Sequence, residues 1–318
     1  MKQETLLFEK LGQQFKHERV KINMIRTLSN GVEIPSFGMG TYPLKGQALT
    51  KAIIAATSCG YRAFDTAKAY GNEESLGNAL QEAYRINRLK RSDVFITSKI
   101  GENLNHGIPD GILFYATYPN EKRDIADIVS KQLNEILKNL RTDYLDLLLI
   151  HWPFPDYFVE IWKAMEDEYR TGRVRAIGVS NFRERHIQKI VNSRSIVPMV
   201  NQFELHPMNT KKALVDYCQK LKIQVQAYSP LLVMNKKLIN APILKLLAQK
   251  YKKSIPQIIL RWNIEQGVIP IPKSGNPIRL QENINIFDFE LTEEDMYGID
   301  LLNENHSGVV ESRYCPGY

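Results

Sequence analysis

The feature that most constrains the fold of this chain is a repeated alternation of short apolar segments with amphipathic ones. Apolar runs typical of buried strands recur near residues 37–41, 62–66, 94–99, 144–150, 174–179, 199–203, 224–228 and 268–271. Helical patterns lie between them, for example from Ile125 to Leu140 and from Phe158 to Thr171. Strands that alternate with helices form parallel sheets. Eight such units predict an α/β fold, an eight-stranded parallel (β/α)8 TIM barrel.

The segment before the first strand adds two predicted elements. Arg26 to Ile34 carries Asn30-Gly31 between two short alternating runs, which is the strongest local signal of a β-hairpin. Residues 1–24 carry apolar side chains at a spacing of four, so we predict an N-terminal extension that is helical or partly disordered. The remaining residues, 25–318, are predicted to form a single barrel domain, since barrels of this class reach such a length as one domain.

Polar side chains follow three successive predicted strands at their carboxyl ends. Asp65, Lys99 and His151 occupy these positions, and Tyr70 lies on the loop after the first of them. The carboxyl ends of parallel strands meet at one mouth of a barrel, so the four side chains converge there. A lone residue of this kind is more often structural or solvated. Four of them at successive strand ends indicate a proton-transfer site.

The residue types suit proton transfer to a substrate oxygen. Tyrosine is a poor acid, with an ordinary pKa of about 10, and we expect the nearby Lys99 ammonium to lower the pKa of Tyr70. Asp65 would hold and orient Lys99. His151 could donate a hydrogen bond to a substrate oxygen beside the Tyr70 hydroxyl.

Several motifs occur in the order found in a known family. They are Gly38–Thr41, Phe64–Ala67 with Tyr70–Glu73, Thr97–Lys99, Leu149–Pro153, Ile177–Phe182, Asn201–Pro207, Tyr228–Leu231, and Ile271–Ser274 with Arg279, Glu282 and Asn283. The chain resembles the aldo-keto reductase superfamily from about Ile25 to Asn305. This resemblance implies a barrel whose bottom is closed by the hairpin. It also implies reduction of aldehydes or ketones to alcohols by hydride transfer from NADPH, with Tyr70 as general acid.

A hydride cannot be supplied by side chains, so a cofactor is required. No Gly-x-Gly-x-x-Gly follows the first strand, and a dinucleotide must therefore be held in another way. The resemblance implies that NADPH is bound by Gly40, Thr41, Tyr42, Asp65, Ser180, Asn181, Gln202, Tyr228, Ser229, Leu231, Lys273, Ser274, Arg279, Glu282 and Asn283.

The nicotinamide end of this set lies at the ends of the middle and later strands. By resemblance, Ser180, Asn181 and Gln202 bind the carboxamide, and the ring of Tyr228 stacks on the nicotinamide. The alternative for Asn181 and Gln202 is a structural role, in which they cap and satisfy loop backbone groups.

The adenosine end follows the last strand. Arg279, Glu282 and Asn283 recur at spacings of three and four, so they share one face of a helix. By resemblance, Lys273 and Arg279 contact the phosphate on the adenosine ribose, which favours NADPH over NADH. Glu282 and Asn283 would contact the adenine. Taken singly, Arg279 could equally be a surface charge.

The predicted substrate pocket is aromatic. Its candidate residues are Tyr42, His151, Trp152, Phe114, Tyr115 and Tyr314. Phe114 and Tyr115 fall with Tyr118 in a long loop from Gly101 to Lys122, which we interpret as a substrate lid because three large rings would otherwise form an exposed apolar patch. The alternative is a disordered insertion. The sequence does not identify the carbonyl substrate.

Composition restricts the compartment and the partners. The net charge is +7, but acidic and basic residues are mixed and no basic block occurs, so we favour an anionic cofactor over nucleic acid. Cys59, Cys218 and Cys315 match no metal-site spacing and cannot all pair, which is typical of a reducing cytoplasm. No apolar run is long enough for a membrane span. We therefore expect a cytoplasmic monomer with a small-molecule carbonyl substrate and no metal.

One function of a different class stays open. The superfamily also resembles the cytoplasmic β subunits of potassium channels, which keep the barrel fold and the bound cofactor. The chain could therefore be a non-catalytic or regulatory subunit that binds the cofactor. The complete set of Asp65, Tyr70, Lys99 and His151 favours catalysis, whereas the N-terminal extension supports the regulatory alternative. Glu204 and His206 belong to a family motif, and we assign them a structural role.

Overall fold

A computed structural model describes residues 24–100, 125–154, 157–193, 196–309, 315 and 318. Nearly all of the predicted N-terminal extension lies outside these residues. So do the long loop with Phe114, Tyr115 and Tyr118, and Tyr314 near the end of the chain. The interpretations of these segments stay predictions. Within the described ranges, no helix has an apolar stretch long enough to cross a membrane.

The predicted hairpin is present and lies where the barrel strands begin. β1 (Ile25–Thr27) pairs antiparallel with β2 (Glu33–Pro35), and Ile34 is fully buried. Asn30 Nδ2 donates to Arg175 O at 2.9 Å, two residues before the fifth barrel strand. Arg26 Nη2 donates to Ile264 O at 3.2 Å, close to the start of the eighth. The hairpin therefore covers the amino-terminal end of the barrel.

Eight parallel strands form the barrel and are hydrogen-bonded in the order of the sequence. They are β3 (Met39–Gly40), β4 (Ala63–Asp65), β5 (Phe95–Ile100), β6 (Leu147–Ile150), β7 (Ile177–Ser180), β8 (Val200–Glu204), β9 (Gln224–Tyr228) and β10 (Ile269–Pro270). Gly38 N–H donates to Pro270 O at 3.1 Å and Gly40 N–H donates to Pro272 O at 3.2 Å, so the first and last strands meet. The predicted (β/α)8 barrel is confirmed.

The helices lie between and after the strands. They are α1 (Gly46–Ser58), α2 (Glu73–Asn87), α3 (Ile125–Leu140), α4 (Phe158–Arg170), α5 (Glu184–Ser193), α6 (Lys212–Lys220), α7 (Lys236–Ile239), α8 (Pro242–Tyr251), α9 (Ile255–Glu265), α10 (Pro277–Ile284) and α11 (Glu293–Asp300). The helix predicted from Ile125 to Leu140 has those bounds, and the one predicted to end at Thr171 ends one residue earlier.

The local sequence explains where several helices begin. Ser254 accepts a hydrogen bond from Gln257 N, and the Gln257 side chain accepts one from Ser254 N, which forms a capping box at the start of α9. Thr292 and Asp295 form the same arrangement at α11. Each box satisfies backbone donors that the first turn of a helix leaves without a partner.

Burial on both faces explains the composition of the strands. All four residues of β6, Leu147–Ile150, are fully buried, because one face fills the barrel and the other packs under the helices. In β7 a Cβ at Gly178 would come within 2.6 Å of Val200 O, so only glycine permits the observed approach to β8. The core therefore occupies both the barrel interior and the shell between strands and helices.

Candidate active site

The carboxyl ends of β4 and β5 bring three of the predicted catalytic residues together. Lys99 Nζ donates to Asp65 Oδ1 at 2.6 Å and to Thr66 O at 2.8 Å, and it lies 3.3 Å from the Tyr70 hydroxyl oxygen. Lys99 is fully buried, and Asp65 is 5% exposed. A buried ammonium is tolerated only when it is paired and hydrogen-bonded. Asp65 therefore holds Lys99 beside Tyr70.

A short 3₁₀ turn presents Tyr70. The turn ends at Gly71, whose φ of 57° is a left-handed conformation that glycine adopts without steric cost. Asn72 fixes the turn to the barrel, since its Oδ1 accepts from Thr66 Oγ1 at 2.6 Å and its Nδ2 donates to Thr41 Oγ1 at 3.1 Å. Asn72 was not predicted as a site residue. Its position between the strand-end motif and the start of α2 was the available signal.

Aromatic rings surround Tyr70 on the other side. The ring of His151, directly after β6, lies edge-on to the Tyr70 ring at a centroid distance of 5.8 Å. Trp152 stacks on His151 at 6.2 Å, and the half-exposed Tyr42 ring lies 5.1 Å from that of Tyr70. Three of the residues predicted for the substrate pocket are therefore neighbours. The other predicted wall residues, at positions 114, 115 and 314, lie outside the described residues.

Burial decides the protonation states of these groups. Burial, together with the Asp65 carboxylate, raises the pKa of Tyr70 well above its ordinary value. Our expectation of a lowered pKa is wrong, because burial and the Asp65 carboxylate outweigh the effect of the Lys99 ammonium. Burial and the Lys99 charge hold the pKa of His151 well below its ordinary value. At neutral pH the site contains a neutral phenol and a neutral imidazole, and both can donate a hydrogen bond.

Gln202, predicted as a cofactor contact, is also a partner of the Asp65 carboxylate. Its Nε2 donates to Asp65 Oδ2 at 2.7 Å and to Gln226 Oε1 at 3.1 Å. Both oxygens of Asp65 are thus occupied, one by Lys99 and one by Gln202. Gln226 was not predicted. The signal that could have revealed it is its place in β9, two residues before Tyr228 and on the same face of the strand.

Asn181 connects three strand ends. It has a φ of 62°, a left-handed conformation that asparagine adopts more readily than most residues. Its Nδ2 donates to His151 O at 3.0 Å, and its Oδ1 accepts from Tyr228 Oη at 2.8 Å. Ser180 Oγ donates to Gln202 O at 3.0 Å beside it. The bond to His151 O satisfies a loop backbone group, which is the structural role that the sequence left open for Asn181. A role of Asn181 toward a cofactor stays a prediction.

The residues predicted for the adenosine end follow β10. Lys273 and Ser274 precede α10, Arg279 lies in its first turn, and Glu282 and Asn283 lie in its last turn. Asn276 caps this helix, since its Oδ1 accepts from Ile278 N at 2.9 Å and from Arg279 N at 3.2 Å. The side chains of Lys273 and Arg279 are exposed, whereas Ser274 and Asn283 are buried. Two cationic side chains beside a helix N-terminus suit a phosphate group.

The other predicted cofactor contacts lie at the ends of β3 and β9. A Cβ at Gly40 would come within 3.1 Å of Ile271 O, so the backbone approaches closely there. Thr41 is fully buried, and its hydroxyl donates to Asp65 O at 2.9 Å. Ser229 has a φ of 48°, and the half-buried Leu231 precedes a 3₁₀ turn at Leu232–Met234. All four positions lie at the carboxyl-terminal mouth of the barrel.

Two further observations concern possible metal ligands and the cysteine thiols. In the ranges that the structure describes, no three His, Cys, Asp or Glu side chains are grouped so that they could hold a metal ion. Cys315 is fully buried, and burial raises the pKa of its thiol to about 12, so it is not a reactive thiolate. Burial likewise raises the pKa of Cys218 to about 12.

Comparison with known proteins gives consistent matches over most of the chain. A model described as the Aldo/keto reductase family matches residues 36–304. A glyoxal reductase of Bacillus subtilis (strain 168) is 41% identical over 279 residues, which cover 87% of this chain and 92% of that protein. An oxidoreductase of the same organism, YtbE, is 43% identical over 280 residues, covering 88% of this chain and 92% of that one.

A similar solved structure is that of an aldo-keto reductase from Bombyx mori in complex with NADP. It has a TM-score of 0.79 and 34% sequence identity, and the match covers 93% of this chain and 97% of the Bombyx mori chain. The likeness therefore extends over the whole barrel.

Proposed function

The chain belongs to the aldo/keto reductase family, and on this premise we propose that it reduces aldehydes or ketones to alcohols with NADPH as the hydride donor. The observation that carries this proposal is the contact between Lys99 and Tyr70. The ammonium has three protons, and its acceptors are Asp65 Oδ1, Thr66 O and the Tyr70 hydroxyl oxygen. Because Tyr70 accepts from Lys99, its own proton is left for another acceptor, such as a substrate carbonyl.

The cofactor is NADPH, and the chain's residues fit it. Lys273 and Arg279 flank the N-terminus of α10, where they can meet the phosphate that distinguishes NADPH from NADH. Gly40 lets the end of β3 approach the Ile271 backbone, just before Lys273, more closely than a side chain would allow. The Bombyx mori relative was crystallised with NADP. When bound, NADPH supplies the hydride, and the protein supplies the proton and the orientation.

The proton is held at the Tyr70 hydroxyl. Its raised pKa keeps the phenol protonated at neutral pH, so the proton is present when a carbonyl oxygen arrives. As that proton leaves, Lys99 Nζ at 3.3 Å stabilises the negative charge that develops on the phenol oxygen. The neutral His151 imidazole can donate a second hydrogen bond to the carbonyl oxygen and so fix the substrate beside Tyr70.

We propose small α-oxo aldehydes as one substrate class. The glyoxal reductase of Bacillus subtilis supports this choice at 41% identity. The aromatic rings of Tyr42 and Trp152 on either side of the Tyr70–His151 pair also allow a flat or apolar substituent on the carbonyl carbon.

The test is the Tyr70→Phe variant in an assay of NADPH oxidation with a panel of aldehydes and ketones. Phenylalanine keeps the ring that packs against Tyr42 but removes the proton. We expect kcat to fall by roughly a hundredfold or more, as is typical when a general acid is lost, and the Kd for NADPH to stay nearly constant.

The matched control is Tyr297→Phe, which removes the hydroxyl of an exposed tyrosine on α11 and should leave kcat unchanged. Near-normal turnover in Tyr70→Phe would contradict the role of Tyr70 as the acid. A wild-type protein that binds NADPH but reduces no member of the panel would instead favour the regulatory alternative.

A further inference from the structure

A buried carboxylate outside the proton-transfer site holds the end of the described chain. Glu204 is the last residue of β8 and is 2% exposed. Its Oε1 accepts from Gly308 N at 2.9 Å and lies 3.3 Å from His206 Nε2. Its Oε2 accepts from Ser307 Oγ at 2.7 Å and from Val309 N at 3.3 Å. Three of these four contacts come from Ser307–Val309, which we call the anchor segment.

Two side chains lie close to Gly308 in the anchor segment. A Cβ at Gly308 would lie 2.9 Å from Glu204 Oε1 and 2.9 Å from Leu232 Cδ1. The chain is also fastened just before this point, because Glu304 N and His306 N both donate to Met208 O, at 3.1 and 2.9 Å. The anchor segment is therefore held flat between the end of β8 and the turn that follows β9.

The anchor segment reaches the proposed pocket through Val309. Val309 packs against a small apolar cluster formed by Trp152, Phe154 and Cys315. Trp152 directly follows His151 in the chain, and the two rings are stacked. The Tyr318 ring meets Trp152 edge-on at 5.7 Å. A wall of the pocket is thus supported from behind by a segment that Glu204 holds.

The charge on Glu204 suits this role. Burial acts to raise the pKa of its carboxyl, but hydrogen bonds from His206 and Ser307 oppose burial, and the net effect is a lowered pKa. The group is therefore ionised at neutral pH. A buried carboxylate is stable only with several donors, so the carboxylate and the anchor segment depend on each other.

We propose that Glu204 is a positioning residue for substrate selection, because its carboxylate fixes the anchor segment and thereby the placement of Val309 behind Trp152. This inference rests on the proposed function, since it concerns the pocket for the carbonyl substrate. Glu204 makes no contact with Lys99 or Tyr70 among the hydrogen bonds of the described residues. Its loss should therefore change which carbonyls bind and leave the rate of the chemical step alone.

The experiment uses Glu204→Gln, which keeps the size of the side chain but replaces one acceptor oxygen with a donor group. Hydrogen exchange measured by mass spectrometry reports the amides of Gly308 and Val309. We expect them to exchange roughly tenfold faster than in the wild type, because charge-assisted bonds are lost. Kinetics with methylglyoxal and with 2-naphthaldehyde report the pocket. The ratio of their KM values should change by about fivefold or more, with kcat and the Kd for NADPH within about twofold of wild type.

The matched control is Glu166→Gln. Glu166 is also a buried carboxylate, but it accepts from Ile196 N at 3.0 Å and does not touch the anchor segment. Neither the exchange nor the KM ratio should change in this variant. A Glu204→Gln protein with wild-type exchange, or with faster exchange and a wild-type KM ratio, would overturn the proposal.

A second variant covers the case in which Glu204→Gln does not fold. Ser307→Ala removes one donor from an exposed position and should shift the KM ratio by about twofold, whereas a wild-type ratio would count against the proposal. If the wild-type protein reduces no carbonyl, the proposed function fails and substrate selection fails with it. The exchange result still decides whether Glu204 holds the anchor segment.

Discussion

At the scale of single residues, the two faces of β5 carry side chains with different roles. One face carries a residue of the proposed active site, and the other carries a residue that holds a helix. Lys99 points into the barrel mouth, where its ammonium group donates hydrogen bonds to Asp65 and Tyr70. Ser98, one position earlier, points to the opposite face and donates to the buried Glu73 carboxylate of α2 at 2.6 Å. Because side chains alternate along a strand, one short segment both carries the proposed cation and fastens the helix behind it.

Arg279 provides a prediction at this scale. If its guanidinium meets the ribose phosphate, Arg279→Ala should weaken NADPH binding by roughly tenfold or more, since hydrogen bonds to charged groups are among the stronger ones. NADH lacks that phosphate, so its affinity should change much less. Fluorescence titration with each cofactor measures both. Arg85→Ala, at an exposed arginine on α2, is the control and should affect neither cofactor. An equal loss for both cofactors would assign Arg279 another role.

At the scale of elements, the helices pack more closely in one place than side chains would allow. Gly77 lies within α2, where it faces the end of α3. A Cβ at this position would come within 2.3 Å of Asn139 O and 2.9 Å of Leu140 Cα. The two helices before and after β5 in the chain, α2 and α3, therefore meet closely at this glycine.

Gly77→Ala should consequently destabilise the protein, although alanine favours helices by about 1 kcal/mol. Relief of the overlap requires the helices to separate, which typically costs about 1–3 kcal/mol or more, and we expect a net loss of about 2 kcal/mol. Unfolding in urea measures the change. Gly275→Ala is the control, because the new methyl group would make only an ordinary contact with Leu44 Cδ2 at 3.4 Å. The free energy of unfolding of this variant should stay within about 0.5 kcal/mol of wild type. A stable Gly77→Ala protein would show that the helices can separate without cost.

At the scale of the whole molecule, stability should depend on pH through a buried histidine. His186 on α5 is 7% exposed and lies between the aromatic rings of Phe158, Phe182 and Tyr318. Burial, followed by the positive charges of Arg185, Arg183 and Lys189, lowers its pKa from 6.5 to about 4. The folded state therefore keeps this imidazole neutral under conditions in which the unfolded chain would protonate it.

The sign of the effect follows from the two pKa values. Between about pH 6.5 and 4 the unfolded state binds more protons at this site, so the stability that is present above pH 6.5 is lost as the pH falls. At pH 5 the loss of unfolding free energy should be about 1–2 kcal/mol relative to pH 7.

Urea unfolding at both pH values measures this loss for the wild type and for His186→Gln, whose side chain cannot titrate. The difference between pH 7 and 5 should shrink in His186→Gln. It should persist in His306→Gln, which replaces an exposed histidine. An unchanged difference in His186→Gln would assign the acid sensitivity to other groups.

The sequence by itself determined the barrel, because the alternation of strand and helix patterns is local and parallel strands with helical crossovers close in few ways. It even placed α3 at Ile125–Leu140. The sequence also predicted that Asp65, Lys99 and His151 converge. All three lie at or next to the carboxyl ends of successive parallel strands, and these ends meet at one mouth of the barrel. Resemblance to a family supplied the cofactor, which no spacing within the chain could have supplied.

Only the tertiary structure decided how these residues are partnered. Gln202 bonds to Asp65 across 137 positions of the chain, and Gly308 bonds to Glu204 across 104. The direction of the pKa shift of Tyr70 depended on burial and on the nearby Asp65 carboxylate, and it is opposite to the direction predicted from the sequence. Sequence patterns report the period of each segment, whereas distances between remote segments and the exclusion of water arise only when the segments pack together.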